Sequence, residues 1–294
     1  MTLGGSYCDE ITLYPQSFVN MLLSRLSLPG AKLYATANPD RPTHYIKRDF
    51  IDNPDIDIAD WRFTLDDNTF LDTEYVAQLK QEYTGVYYER YILGRWVLAE
   101  GRVYPNFNKD IHTVPTVDRD YTRFYISNDY GTQHPCVFLL WGLCNGVWYC
   151  IKEYYHKGKD GKQKSVDEYY SDLLKFADGY RITKFICDKA PIAASFNIHL
   201  KRRKDFMSQD CDNEVLAGIQ DVATALNKGL IKINDCCKNA IEEFDLYSWE
   251  QDCIEDRPIK EDDDALDALR YFVKTLGFAN PRQQSITISN TLRF

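Results

Sequence analysis

The chain has 294 residues, 44% of them hydrophobic and 14% aromatic, with a net charge of −9. That is enough apolar material for two domains or one large one, and it excludes a disordered chain. No apolar run approaches the length of a membrane span, and "MTLGGSYCDEITLYPQ" has neither the basic nor the apolar region of a signal peptide, so the chain reads as cytosolic.

Residues 17–26, "SFVNMLLSRL", repeat at helical period, and Pro29-Gly30 ends that helix. The run "AKLYATANP" at 31–39 reads as a buried strand entering a polar loop. Residues 72–100 look helical as far as Gly94, and 102–121, rich in Pro, Asp and Asn, look like a connector. Then come strands: "RFYISNDYG" at 123–131, "CVFLLWGL", and "GVWYCIKEYY", the last two joined by Asn145-Gly146, a strong hairpin signal. A basic loop and a helix near 165–178 follow, then "TKFICDKA" at 183–190, a strand ending at Asp188. Helices are predicted near 190–204, 214–228, 236–248 and 263–276. A three-strand meander followed by alternating strands and helices defines an α/β domain.

The nine cysteines are odd in number and irregularly spaced, with no CxxC pair, so buried reduced thiols fit better than zinc or disulfides. Global acidity argues against nucleic acid. The local clusters "HKGKDGKQK" at 156–164 and "KRRK" at 201–204 argue for it.

Asp129 and Asp188 each close an apolar strand, the sheet edge where ligands gather in α/β folds. In "KEDDDALDALRY", Asp267 follows Asp264 by three residues and so shares its helical face, among Ala265, Leu266, Ala268 and Leu269. Such acids would raise one another's pKa values unless cations neutralise them, and oxygen-only ligands suit Mg²⁺ or Mn²⁺. Each acid also has a simpler reading: Asp129 as a turn residue, Asp188 as a helix cap, Asp267 as the partner of Arg270.

The segments "YISNDYGTQHPCVFLLWG", "KFICDKAPIAASF", "LAGIQDVATALNKGLIKI", "AIEEFDLYSWEQD" and "RPIKEDDDALDALRY" resemble, in that order, the large terminase subunits of tailed bacteriophages and prophages. The stretch from "GGSYCDEITLYPQ" to "KRDF" resembles the second half of that family's ATPase domain, and "YERYILGRWVLAEGRVYPNF" its junction with the nuclease. The resemblance implies an α/β chain: a partial P-loop-type ATPase segment with linker helices at 1–100, a connector at 101–120, an RNase H-like nuclease domain at 121–278 and a tail at 279–294. It implies a DNA endonuclease using two Mg²⁺ or Mn²⁺ ions to cut concatemeric viral DNA. The implied partners are double-stranded DNA, the small terminase subunit and the portal protein, with no membrane, in the cytoplasm of the bacterial host.

Residue by residue, Asp129 and Asp188 match the two strand aspartates of the family, and Asp267 the aspartate of the C-terminal helix. Asp264 stands where relatives commonly carry His, and Asp263 reads only as helix-start charge. Asp9-Glu10 match the Walker B pair, and Thr36 and Asn38 the γ-phosphate sensors. Lys157, Lys159, Lys162, Lys164, Lys201, Arg202 and Arg203 are candidate phosphate contacts. No GxxxxGK[ST] occurs in the 294 residues, so ATP is expected as a cofactor only if the missing N-terminal half is supplied, and ATP hydrolysis by this chain alone is not expected. The alternative is a component of the ATP-driven packaging motor that docks to the portal, its nuclease secondary or lost.

Overall fold

The computed structural model describes residues 2–131, 134–157, 163–251, 253 and 255–279. They fall into two units, one of residues 1–101 with Trp249–Arg257, the other of Arg102–Ser248 with the chain from Pro258 onward.

In the first unit, β1 (Gly5–Cys8) pairs in parallel with β2 (Lys32–Ala35), and α1 (Gln16–Arg25) connects them. Val19, Leu22 and Leu23 recur at helical spacing and turn α1 onto Cys8, Ile11, Leu33 and Ile46. The strand expected to be buried is not: Lys32, Tyr34 and Ala35 are exposed, because this sheet has two strands among the described residues. The long helical stretch expected up to Gly94 is broken into α2 (Thr73–Glu82) and α3 (Gly85–Tyr91). Asp72 caps α2 by accepting from the Glu74 and Tyr75 amides, while Tyr83 and Thr84 are extended and interrupt the spiral. Buried Arg90 of α3 is held by Asp40 at 2.9 Å and by Asp256 at 2.6 Å.

The second unit is built on a seven-stranded mixed sheet. Its strands are β3 (Thr113–Val114), β4 (Arg123–Asp129), β5 (Cys136–Cys144), β6 (Val147–His156), β7 (Ile182–Cys187), β8 (Ser208–Asp210) and β9 (Ile231–Asn234). The spatial order is β3-β9-β6-β5-β4-β7-β8: β4, β5 and β6 form an antiparallel meander, and β7 and β8 extend it parallel to β4. That is the RNase H-like arrangement. Asn145 and Gly146, at φ 50° and 80°, make the tight turn that closes the β5–β6 hairpin. The helices are α4 (Lys109–His112), α5 (Val166–Ala177), α6 (Ala194–Arg203), α7 (Val215–Asn227), α8 (Lys238–Leu246) and α9 (Asp264–Leu276).

The pleat decides which side chains meet which helices. Phe138, Leu140, Ile126, Phe185 and Cys187 point into one core with Tyr169, Leu173 and Phe196 of α5 and α6. Their neighbours point to the opposite face, where Trp141 stacks on Phe272 of α9 at 4.1 Å between centroids and donates to Ser127 Oγ at 3.0 Å. Central β5 is buried on both faces, so its sequence reads as an unbroken apolar run rather than an alternation.

The expected connector differs most. Residues 109–114 supply α4 and the edge strand β3, which pairs with β9 through Thr113↔Ile233 and Val114↔Asn234. The C-terminal tail expected at 279–294 falls, from residue 280 onward, outside the described residues.

Candidate metal centre and nucleotide corner

Ser127 of β4 pairs with Ile186 of β7, so Asp129 and Asp188, each two residues on, occupy equivalent places at the ends of adjacent parallel strands. By the alternation above, both share the face of Ser127 and Trp141, the side covered by α9. The acidic first turn of α9 completes the group with Asp264 and Asp267, both buried.

Burial, then the charges of Asp267, Asp188, Asp264 and Asp263, hold the Asp129 carboxyl well above the usual carboxylate range. Burial raises Asp188 as well, and pushes Asp264 up to about 7 with help from Asp263 and Asp267. Four acids from three distant segments are thus in one electrostatic neighbourhood. Their hard oxygen donors fit a divalent ion, whose charge would relieve the mutual repulsion. As placed, however, no three His, Cys, Asp or Glu side chains among the described residues converge on a single point that could hold a metal. Asp267 has both of its oxygens engaged by cationic side chains instead. Oδ1 accepts from Arg270 Nη2 at 2.8 Å and Oδ2 from Lys260 Nζ at 3.0 Å. The i,i+3 pair and the acid cluster therefore coexist on one side chain.

Arg270 is itself buried and donates further to the Asn213 carbonyl at 3.1 Å. Gly218 of α7 leaves room for it, since a Cβ there would lie 2.7 Å from Arg270 Cγ. Asp263 was expected to add only helix-start charge. Instead it is buried, 3.1 Å from Lys260 Nζ, and burial and Asp267 raise its pKa.

Sequence reasoning missed three supporting residues. Asn128 Oδ1 accepts from the Asp188 amide at 3.1 Å, and Asn197 of α6 donates to the Asp188 carbonyl, so two side-chain amides clamp that residue's backbone. Buried Glu243 of α8 accepts from the Ala265 and Leu266 amides at 2.8 and 3.0 Å, capping α9 from a neighbouring helix. Tyr155 donates to its other oxygen at 2.9 Å. Burial pushes Glu243 up to about 8. The only sequence signal was a carboxylate among apolar residues in "AIEEFDL".

These raised values set the pH dependence of the metal-free fold. Glu243 and Asp264 hold protons in the folded chain that the unfolded chain releases. Their contribution is complete below the ordinary values of 4.5 and 3.8 and is lost as pH rises through about 8 and about 7. In EDTA the melting temperature should fall from about pH 4 to about pH 8 and level off above that, and Glu243→Gln should flatten the fall. A melting temperature that rose across the window would contradict the assignment.

Of the candidate phosphate contacts, Lys157, Arg202 and Arg203 are exposed, with Arg203 lying over the Tyr170 ring. Lys164 is tied to Asp172 and the Tyr154 hydroxyl, and Lys201 to Asp210 at 3.0 Å. Lys159 and Lys162 lie outside the described residues.

In the first unit the loops after β1 and β2 meet. Thr36 Oγ1 donates to Asp9 Oδ1 at 2.6 Å, and Asn38 Nδ2 reaches Glu10 Oε2 at 3.1 Å while its amide donates to the same carboxylate. The Thr36 and Tyr7 hydroxyls hold Asp9 below the usual carboxylate range. Asp9, Glu10, Thr36 and Asn38 are therefore one cluster at the ends of two parallel strands.

Residues 2–110 match the family model described as terminase large subunit, T4likevirus-type, N-terminal. The large terminase of a thermophilic bacteriophage, solved with ADP, is 46% identical over 95% of this chain and 70% of its own, with a TM-score of 0.86. A second crystal form of it superposes with a TM-score of 0.88 at the same identity and coverage, and a complex with ATP-γ-S with 0.86. A comparison with curated proteins finds no match. The chain belongs to the large terminase subunits of phage DNA packaging. No helix among the described residues is long and apolar enough to cross a membrane.

Proposed function

We propose that the second unit is a DNA endonuclease that holds two Mg²⁺ or Mn²⁺ ions and cuts concatemeric viral DNA during packaging. The observation that carries this is the gathering of Asp129, Asp188, Asp264 and Asp267 on one face of the sheet, with Asp129 driven above its usual pKa by burial and by the others. Asp129 and Asp188 offer carboxylate oxygens from adjacent strands. Arg270 grips Oδ1 of Asp267 and orients the carboxylate, while Oδ2 accepts from Lys260. Glu243 pins the first turn of α9, and Asn128 and Asn197 pin the backbone of Asp188, so the acids are held by rigid elements rather than loops. When bound, two divalent ions supply an activated water and stabilise the departing oxygen of a phosphodiester. Lys157, Arg202 and Arg203 would meet the phosphates of double-stranded DNA, giving affinity that falls steeply with salt. The test is cleavage of supercoiled plasmid by the purified chain in Mg²⁺, Mn²⁺ or EDTA. Nicking and linearisation that require the metal support the reading, and inertness in every metal overturns it.

A second reading rests on the cluster of Asp9, Glu10, Thr36 and Asn38. The thermophilic phage terminase was solved with ADP and with ATP-γ-S, and the corner described here would hold the Mg²⁺ and sense the γ-phosphate of a nucleotide. On this reading the chain works in the host cytoplasm within the packaging motor, with the small terminase subunit and the portal protein as partners. ATP-γ-S binding in calorimetry should be weak and should vanish in Asp9→Asn; binding that survives that change would remove this corner from the account.

A further inference from the structure

We infer that Lys260 is a built-in competitor for the divalent cation: its ammonium takes up an oxygen of Asp267, one of the proposed ligands, and bridges it to Asp263. The inference rests on the nuclease reading and deepens it. Lys260 Nζ lies 3.1 Å from Asp263 Oδ2 and 3.0 Å from Asp267 Oδ2, bridging two carboxylates whose side chains are 9% and 10% exposed. Its own side chain is 56% exposed, so a flexible, solvent-borne stem delivers a cation into a buried acidic site. Arg270 differs in kind. It is only 2% exposed, holds the other oxygen of Asp267 and two backbone carbonyls, and cannot leave without unmaking the α7–α9 packing.

The two cations thus divide the work. Arg270 is a permanent counter-ion that orients Asp267. Lys260 is a removable one that neutralises the outer oxygens while no metal is bound. An ammonium matches the charge need of such a pair only in part, because it is monovalent and strongly hydrated. A divalent ion can displace it, and the lysine then swings into solvent, where it is free to meet a DNA phosphate. A chain without metal would in this way keep its acids screened and its fold intact.

The experiment is Mn²⁺ titration of the whole chain by calorimetry, with the metal-dependent rise in melting temperature as a parallel readout, for wild type, Lys260→Met, Lys260→Arg and Asp129→Asn. Lys260→Met should bind Mn²⁺ about five- to tenfold tighter, since two partly exposed ion pairs no longer have to be broken. It should also melt at a lower temperature without metal. Lys260→Arg, whose planar fork can bridge both carboxylates, should bind no tighter than wild type. Equal or weaker binding by Lys260→Met, with wild-type binding lost in Asp129→Asn, overturns the competition while leaving the nuclease reading intact. Wild-type Mn²⁺ binding that is absent, or unchanged by Asp129→Asn, overturns both.

Discussion

Replacing Arg270 by Met should lower the melting temperature of the metal-free protein by roughly 10 °C. Removing one partner of a buried pair costs about 3–5 kcal/mol because the other charge is left stranded, and a unit of this size loses about 2–4 °C per kcal/mol. Here the charge that loses its buried partner is Asp267, left with Lys260 alone in a neighbourhood already crowded with Asp263, Asp264 and Asp129. The Asn213 carbonyl also loses a donor, while the Glu214 carbonyl keeps the Gly218 amide. The double change Arg270→Met with Asp267→Leu should recover much of the loss, since the uncompensated charge goes with its partner. Thermal unfolding in EDTA, followed by circular dichroism, measures both. A single variant within a degree or two of wild type would mean that the pair is not the counter-ion of the cluster.

The second large effect is on chemistry. Asp129→Asn should reduce metal-dependent plasmid cleavage by at least about 10³-fold, because charge stabilisation by a bound ion is worth several kcal/mol and each 1.36 kcal/mol is a factor of ten. Asp188→Ala should do the same. Asp129→Asn should at the same time raise the melting temperature without metal, because Asp129 is burdened both by burial and by its neighbours' charges. Loss of activity with a gain in stability is the signature of a strained functional group. If the variant lost stability together with activity, Asp129 would be a structural residue, and cleavage that persisted would exclude it as a ligand.

Long apolar runs and strong turn signals made β4 to β7 legible in the sequence. "CVFLLWGL" is buried on both faces and could be nothing but a central strand once Asn145-Gly146 closed the hairpin. The first turn of α9 was legible from the spacing of Asp264, Asp267 and Arg270. Edge elements were not. β3, β8 and β9 have two, three and four residues, too few for a period to register, and Pro105 and Pro115 disguised the first as a connector. The supports of the site were illegible for another reason. Glu243 lies 22 residues from Ala265, and Asn128 lies 60 from Asp188, so each contact exists only after folding. Asp263 was misjudged because a helix-start acid normally faces water, whereas here Lys260 folds over it.

The chain passes from one unit to the other three times, after Gly101, after Ser248 and after Arg257. The returning segment is stitched into the first unit by the Trp249 amide on the Gly101 carbonyl at 2.9 Å and by Asp256 on buried Arg90. A protease that nicks the backbone at 101 would leave residues 1–101 held to 249–257 by non-covalent contacts alone, while 249–257 stays covalently joined to the second unit at both of its ends. Cutting the molecule there would also strip Arg90 of no partner, whereas excising 249–257 would remove one of the two carboxylates that hold its charge. Neither unit is a single continuous stretch of the sequence.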